Sequence, residues 1–426
     1  MDRIQAVRGM RDILPEETRD WALVEDAARR ILTEYGYDEI RLPILEATQL
    51  FARAIGTETD IVSKEMYTFE DRSGDSLTLR PEGTAGVVRA GVESGLFHNQ
   101  TRRLWYAGPM FRHERPQRGR YRQFHQIGAE AIGWVGPDID AELIVLTARL
   151  WRALGLRGLT LEINSLGDQA CHDRYRAKLV AYLEGHIADL DPDSQRRLGS
   201  NPLRILDSKD PGTRRVLEDA PSLQAELDAE SRRQLEWIEE CLRACGVAFR
   251  VNPRLVRGLD YYTRTVFEWV AGELGAQNTV CAGGRYDRLI EQLGGRPTPA
   301  VGFALGMERL IEIRRAQIGA AAAQSAGVYL ILVGEKARAR GFVLAEQWRD
   351  AGLRVTTHAG EGGIGSQMKR ADKSGATVAA IFGDDEIASE SVTIKPLRAG
   401  RDGQTRVPLA QALESLRAAL ATLAVR

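Results

Sequence analysis

The stretch from Phe111 to Glu130 limits what this chain can fold into more than any other. It reads as two strands joined by a loop. Arg103–Arg115 is the first strand, with Trp105, Tyr106 and Phe111 as strand formers. Pro116–Arg122 is the loop, with Pro116 and Gly119 as breakers, and Gln123–Gly133 is the second strand. Side chains alternate along a strand. Arg112 and Glu114 therefore share one face of the first strand, and Phe124, Gln126 and Glu130 share one face of the second. The opposite face of the second strand carries Ile127, Ala129 and Ala131, which suits a core.

Charged strand residues are most simply read as a solvated face. Three features oppose that here. The opposite face is too apolar and small to be exposed. Arg112, Arg118, Arg120 and Arg122 fall within eleven positions, with only Glu114 and Glu130 nearby. Phe124 also sits on the charged face, where a solvated surface would not place it. An aromatic ring among arginines suits a stacked purine with phosphates clamped beside it.

With 426 residues the chain is too long for one ordinary core, so two or three domains are expected. Hydrophobic content of 43% with 27% charged residues is ordinary for a soluble globular protein. No run approaches the ~20 apolar residues of a membrane span. Met1–Gln5 has no apolar secretory core. Cys171, Cys241, Cys245 and Cys281 are scattered. Cys241 and Cys245 are four apart on an expected helix, but nothing nearby completes a zinc site. All four are read as reduced and structural, in a cytoplasmic protein without structural zinc. Net charge is −1, yet nucleic-acid contacts need only local patches. Of 58 basic residues seven are Lys, leaving 51 Arg. The arginines are spread over the whole chain, which fits a GC-rich genome better than RNA recognition.

Trp21, Val24, Ala28, Ile31 and Tyr35 recur at helical spacing, and Gly36 ends the helix. Asp38–Leu45 reads as a strand that Pro43 confines to an edge or interface. Further strands are expected at Ser76–Leu79, Leu159–Ile163, Val256–Phe267 and Val301–Leu305, with helices at 84–94 and 138–154. Mixed order around a long antiparallel hairpin predicts an α+β fold. From about 169 to 245 the strand pattern disappears, and Pro192, Pro202, Pro211 and Pro221 break a mostly helical insertion. Residues 316–327 are low in complexity and read as a linker. Beyond them strands at Val328–Val333, Arg354–Thr357, Val378–Phe382 and Ser391–Pro396 alternate with helices at Arg340–Ala351, Ser366–Ser374 and Leu409–Leu423. That pattern is a small α/β domain. It has neither of the glycine-rich phosphate loops of nucleotide-binding domains.

The hairpin resembles the second signature motif of the class II aminoacyl-tRNA synthetases, and in detail that of the histidyl-tRNA synthetase family. Arg8-Gly-Met-Arg-Asp-Ile-Leu-Pro15, Leu79-Arg-Pro-Glu-Gly-Thr84, Arg257-Gly-Leu-Asp-Tyr-Tyr262, Ala282-Gly-Gly-Arg-Tyr-Asp287 and the run Gly302–Leu310 resemble that family in the same order. The resemblance implies a class II antiparallel-sheet catalytic domain over 1–315, with the insertion lying against the tRNA acceptor arm. It implies an anticodon-binding domain over 328–426. The helix and strand over 21–45 resemble the first class II motif, which builds a homodimer interface.

The implied reaction joins L-histidine to ATP as histidyl-adenylate and then passes histidine to the 3′ end of tRNA(His). ATP is a substrate, and Mg2+ is expected with it. By resemblance Arg112 and Arg257 are catalytic at the α-phosphate, Arg257 standing where related enzymes use a metal ion. Arg309 and Arg120 hold the γ-phosphate, Phe124 stacks on adenine and Glu114 meets its amine. The flanking Gly306 allows close backbone approach. Glu82, Gly83 and Thr84, in one turn, take the histidine ammonium, while Gln126 and Arg257 take its carboxylate. Glu130 accepts the imidazole N–H, Tyr262 assists, and Tyr261 and Tyr286 complete the wall. Glycine and aspartate at 258 and 260 turn the chain so that Arg257 and Tyr262 converge. An apolar substrate would leave Glu130 buried and unpaired, costing roughly 1–3 kcal/mol or more, so no editing domain is needed. His98, His113 and His125 are read as structural, because the substrate carboxylate is already ionised.

Three relatives compete with this reading. A synthetase-like regulatory subunit of ATP phosphoribosyltransferase lacks the C-terminal domain and erodes the ATP-binding arginines. A proline or threonine enzyme would not need Glu130 and the pair Tyr261–Tyr262. A synthetase-like stress sensor would carry a kinase domain, and none is evident.

Overall fold

The computed structural model describes residues 3–424, apart from 58, 118, 273–278, 322–325 and 398–402. The loop arginine Arg118 lies outside the described residues. The chain divides into two compact units, Met1–Ala321 and Ala322–Arg426.

An eight-stranded sheet organises the first unit. Across it run Asp38–Glu39, Arg102–Phe111, Gln123–Ile132, Ala300–Gly306, Thr279–Arg285, Thr263–Ala271, Leu159–Ser165 and Phe249–Val251. The interior pairs are antiparallel and the two edge pairs parallel. The expected α+β class is the observed one. Alternation along the strands decides what each face meets. Trp105, Ile127, Ala129 and Ala131 pack beneath the helices Pro15–Glu34, Asp138–Ala153 and Met307–Ile318. Tyr106, Met110, Tyr261 and Tyr286 lie on the other face with Thr48–Ile55 and Thr84–Glu93. That second face carries the candidate site.

The Pro15–Glu34 helix forms for local reasons. Pro15 opens it, Glu16 and Glu17 face its positive end, and Trp21, Val24, Ala28 and Ile31 form one buried stripe. Gly36, at φ 77°, takes the left-handed turn that follows.

Three expected strands are corrected. Asp38–Leu45 is not one strand. Two residues, Asp38 and Glu39, pair with the main sheet, and Leu45–Ala47 joins a separate three-stranded sheet with Tyr67–Glu70 and Ser76–Leu79. Proline at 43 falls at the break. The first hairpin strand stops at Phe111 instead of Arg115, because the His113 amide turns away to the Glu65 carbonyl. Val256–Phe267 is not a strand over its first half. Residues 256–262 are irregular and the strand begins at Thr263. Sequence reading also passed over the strands Phe249–Val251, Thr279–Arg285 and Thr405–Pro408.

The 169–245 stretch is helical as expected, but its prolines start helices more than they break them. Asp191 and Asp210 cap helices whose first residues are Pro192 and Pro211. Asp168 and Asp228 cap Gln169–Glu184 and Ala229–Ala244 in the same way. Tyr175, Leu179, Leu183, Ile205 and Leu217 form a separate small core. Leu235, Ile238 and Leu242 of the last helix return to the main core.

The second unit is a five-stranded sheet in the order Val355–Thr357, Ala326–Val333, Ala376–Gly383, Ser391–Pro396 and Thr405–Pro408. The first three strands are parallel and the last two antiparallel. Helices Glu335–Asp350 and Leu409–Ala424 bury Leu344, Trp348, Ala412 and Leu416 with the strand residues Val328, Leu330 and Leu332. On helix Ile364–Lys373, Ala371 packs with Tyr329, Ile331 and Ala379. Among the described residues no helix is long and apolar enough to cross a membrane.

Candidate active site

A cavity of about 250 Å³ opens on the second face of the large sheet. The hairpin supplies Arg112, Glu114, Arg120, Phe124 and Gln126 to its wall. Thr279–Arg285 and Ala300–Gly306 form the floor, where Ala282, Gly302 and Ala304 leave room for a ligand. Glu82 and Thr84 close one side, and Arg257, Tyr261, Tyr262 and Tyr286 close another. Arg309 enters from the helix that follows Gly306. Every expected site residue except Gly83 and Glu130 lines this one cavity.

One end is cationic. The Arg112 guanidinium lies 5.3 Å from the centre of the Phe124 ring and its Nε donates to the Pro81 carbonyl at 2.9 Å. Arg309 donates to the carbonyls of Gly119, at 3.3 Å, and Thr279. Arg120 pairs with Glu114 and lies 3.9 Å from Glu65. Burial pushes the pKa of Arg112, Arg120 and Arg309 below the ordinary arginine range. Arg112 pushes those of Arg120 and Arg309 further in the same direction. Like charges gathered in a cavity oppose one another. A polyphosphate placed between them relieves that opposition and gives each fork an acceptor. Glu114 is held by Arg120, whose own group it holds in turn.

The other end is built for a small polar molecule. Glu82 is almost fully buried and accepts the amides of Thr84, at 2.6 Å, and Ala85, at 2.9 Å, which caps the Thr84–Glu93 helix. Burial raises its pKa and those amides counter the rise. Gln126 presents a buried Oε1 without a hydrogen-bond partner among the described residues. Buried polar atoms rarely stay unpaired; as an acceptor this oxygen suits a ligand N–H, and not the carboxylate expected for Gln126 from the sequence. Arg257 pairs with Glu268 at 2.8 Å. Tyr261 packs on Tyr262 and Tyr286 at ring separations of 4.7 and 5.5 Å. The turn at 258–260 does bring Arg257 and Tyr262 to the same wall.

Glu130 sits one layer behind the wall and is fully buried. Its carboxylate accepts from Thr84 at 2.8 Å, from Tyr106 at 3.4 Å, and from Tyr286. Burial pushes its pKa up to about 8, against the pull of those hydroxyls. The space around it is shaped by glycine. A Cβ at Gly302 would lie 1.6 Å from Glu130 Oε2, and one at Gly83 would lie 2.2 Å from the Tyr106 ring. Gly83 thus shapes the pocket without lining it. At Gly306, which lines the cavity, a Cβ would meet no protein atom within 4 Å. The space that a side chain would occupy there is open to the cavity.

Sequence reading missed Glu308 and Thr279. Glu308 lines the cavity and accepts from the His125 amide at 2.9 Å, with His125 Nδ1 at 3.0 Å. Trp21 packs edge-on against that imidazole. Glu308 stands beside Arg309 in the sequence, and that adjacency was the available signal. Thr279 supplies its carbonyl to Arg309 and its hydroxyl to Glu268. Its strand had not been recognised at all. Cys281 also lines the cavity, and burial holds its thiol well above the usual range, which leaves it protonated. Among the described residues the one gathering of three metal-ligand side chains is Asp168, Cys171 and Asp228, outside the cavity. Both carboxylates there cap helices.

Comparison with known proteins agrees with this geometry. The family described as histidyl-tRNA synthetase matches residues 9–310, and an anticodon-binding domain family matches 327–419. The chain is 58% identical over 416 residues to a histidine–tRNA ligase of Halorhodospira halophila, covering 97% of this chain and 98% of that one. A crystal structure of apo S. aureus histidyl-tRNA synthetase superposes with a TM-score of 0.81 at 36% identity, over 97% of this chain and 100% of the other. A Bacillus halodurans structure described as an ATP phosphoribosyltransferase regulatory subunit/histidyl-tRNA synthetase shares the fold. Its TM-score is 0.65 at 24% identity, over 87% of this chain and 97% of that one. A cavity with clustered arginines beside a buried carboxylate, on an antiparallel sheet matched over nearly its full length, places this chain in the histidyl-tRNA synthetase family.

Proposed function

We propose that the protein is a histidine–tRNA ligase that activates L-histidine with ATP and transfers it to the 3′ end of tRNA(His). The observation that carries the reading is a cluster of arginines in one cavity with the buried carboxylate of Glu130 directly behind its wall. A histidine carboxylate oxygen attacks the α-phosphorus. The bond from that phosphorus to the bridging oxygen breaks, and pyrophosphate leaves with the electron pair. Charge grows on the α-phosphate oxygens during this step, where fixed cations act most strongly. Arg112 and Arg257 flank that position, while Arg309 and Arg120 hold the outgoing phosphates. Phe124, backed by Arg112, offers its ring to adenine. In the second step a hydroxyl of the terminal ribose attacks the histidyl carbonyl and AMP departs.

Mg2+ would travel with ATP as part of the substrate. The cavity carboxylates Glu82 and Glu114 are already engaged, by helix amides and by Arg120, so no resident ion is assigned to them. Histidine selectivity comes from the group around Glu130. Rotation of Tyr286 or Thr84 toward the substrate opens the carboxylate to the imidazole. A homodimer is part of the proposal, supported by exposed Ile44, Leu45 and Phe69 on and beside the three-stranded sheet. A cytoplasmic site of action fits a chain whose cysteines are free.

Charging of tRNA with radiolabelled histidine tests the proposal. Histidyl-tRNA formed at catalytic turnover supports it. ATP binding without any charging would instead favour a regulatory relative.

A further inference from the structure

The run Arg8–Pro15 shares in the family resemblance, yet none of its residues lines the active-site cavity. It lies against the base of the hairpin loop instead. One end is anchored, because Ile13 packs on the main core and Pro15 opens the first helix. Residues 8–11 meet the loop. The Arg122 amide donates to the Gly9 carbonyl at 2.7 Å, and its Nη1 reaches the Arg8 carbonyl at 3.4 Å. The Nε of the same fork donates to the Glu114 carbonyl at 3.2 Å, so one arginine ties both arms of the loop to the segment. The Arg11 guanidinium lies 5.3 Å from the centre of the Tyr121 ring and pairs with Glu17 in the first turn of the helix.

The contact leaves no room for a side chain at residue 9. Gly9 sits at φ 85°, where other residues are strained. A Cβ there would lie 2.8 Å from Arg122 Cγ, and 2.9 Å from Arg122 Cδ and from Pro116 Cγ. Further out, the loop closes on itself. The Arg120 amide donates to the Gln117 carbonyl at 2.9 Å, and the Gln117 amide to the Arg120 carbonyl at 3.1 Å. A loop closed in this way is aimed from its base, and the base is where the segment lies. Arg120 and Tyr121, the two residues before Arg122, both line the cavity. A shift of about 1 Å at the base carries the Arg120 fork away from a phosphate, and a misplacement of that size can cost on the order of 10² in rate.

We infer that Arg8–Arg11 is a strap that positions the hairpin loop, with Gly9 and Arg11 as positioning residues that act through Arg120 on the outgoing phosphates of ATP. The inference rests on the proposed ligase activity and adds residues that touch neither substrate. Histidine-dependent ATP–pyrophosphate exchange reads it through two Michaelis constants. Gly9→Ala should raise the KM for ATP on the order of tenfold, the cost of a strained backbone position. Arg11→Ala should raise it roughly twofold to fivefold, the worth of one exposed cation–π contact, and Arg11→Lys should recover part of that. The KM for histidine should stay within about twofold in all three, whereas a segment that merely held the fold together would move both constants. In the Arg120→Ala background, Gly9→Ala and Arg11→Ala should each add less than about twofold, because the side chain they position is gone. Should Gly9→Ala not fold, Arg11→Ala, at an exposed side chain, carries the same cycle. An ATP KM unchanged in Arg11→Ala and in folded Gly9→Ala, a histidine KM that rises with it, or a full penalty persisting beside Arg120→Ala would each overturn the inference. Absence of exchange in the unaltered protein would be a failure of the ligase reading itself, visible before any variant is made.

Discussion

Arg257 and Glu130 divide the chemistry between them, and each can be tested alone. Arg257→Ala should lower adenylate formation by about 10²–10³, the usual cost of one transition-state donor. ATP affinity should hardly change, because the charge it meets develops only during attack. Single-turnover adenylation measures this, and an unchanged rate removes the role. Glu130→Ala should raise the KM for histidine by roughly tenfold to a hundredfold, since it also strands three hydroxyls. Glu130→Gln should lose less. Equal histidine titrations for Glu130→Ala and the unaltered protein would take Glu130 out of recognition. The carboxyl also sets a pH dependence. Its folded pKa, about 8, lies above the ordinary 4.5. The folded state therefore binds more protons, and stability falls as pH rises through that window, at most ~1.4 kcal/mol per pH unit. Asp140, raised to about 6 by burial, adds its own fall at the lower end. Between pH 6 and 8 the ligand-free Glu130→Gln protein should show a flatter denaturation midpoint than the parent. Parallel slopes would mean that Glu130 is ionised throughout. Strand alternation alone put Gln126 and Glu130 on the site face. That Glu130 lies behind Thr84 and Tyr286 was not legible, because those hydroxyls arrive from segments far apart in sequence.

Among the elements, those with strong local signals were legible and those set by distant partners were not. The Pro15–Glu34 helix announces itself through Pro15, the acidic first turn and Gly36. The segment 256–262 reads as strand by composition, yet its backbone is irregular, and just past it, at the start of the strand Thr263–Ala271, Arg264 adopts φ 48°. The Arg264 amide and carbonyl bond to Gly167 and Leu166, which no local pattern announces. The strand Thr279–Arg285 was invisible for a different reason. Its residues Ala282, Gly283 and Gly284 have little strand propensity, and small side chains are what the floor requires. A Cβ at Gly283 would lie 2.2 Å from the Gly302 carbonyl oxygen. Gly302→Ala should push into Glu130 and the neighbouring strand, destabilising the protein by about 1–3 kcal/mol and weakening histidine binding more than ATP binding. Thermal denaturation with both titrations checks this, and an unperturbed variant would contradict the geometry around Glu130.

At the scale of the molecule, the chain's two units have separate cores and separate family matches. The change from a mixed antiparallel pattern to alternating strands and helices made this division legible. A protein ending at Ala321 should fold, keep histidyl-adenylate formation and charge tRNA poorly, because every adenylation residue lies in the first unit. Loss of adenylation from a folded fragment would mean that the tail completes the active site. The most direct test of the whole account is ATP–pyrophosphate exchange with each proteinogenic amino acid in turn. The account predicts exchange with histidine and little with any other, because only histidine offers Glu130 an N–H donor of the right size. Preferential exchange with a different amino acid would contradict it.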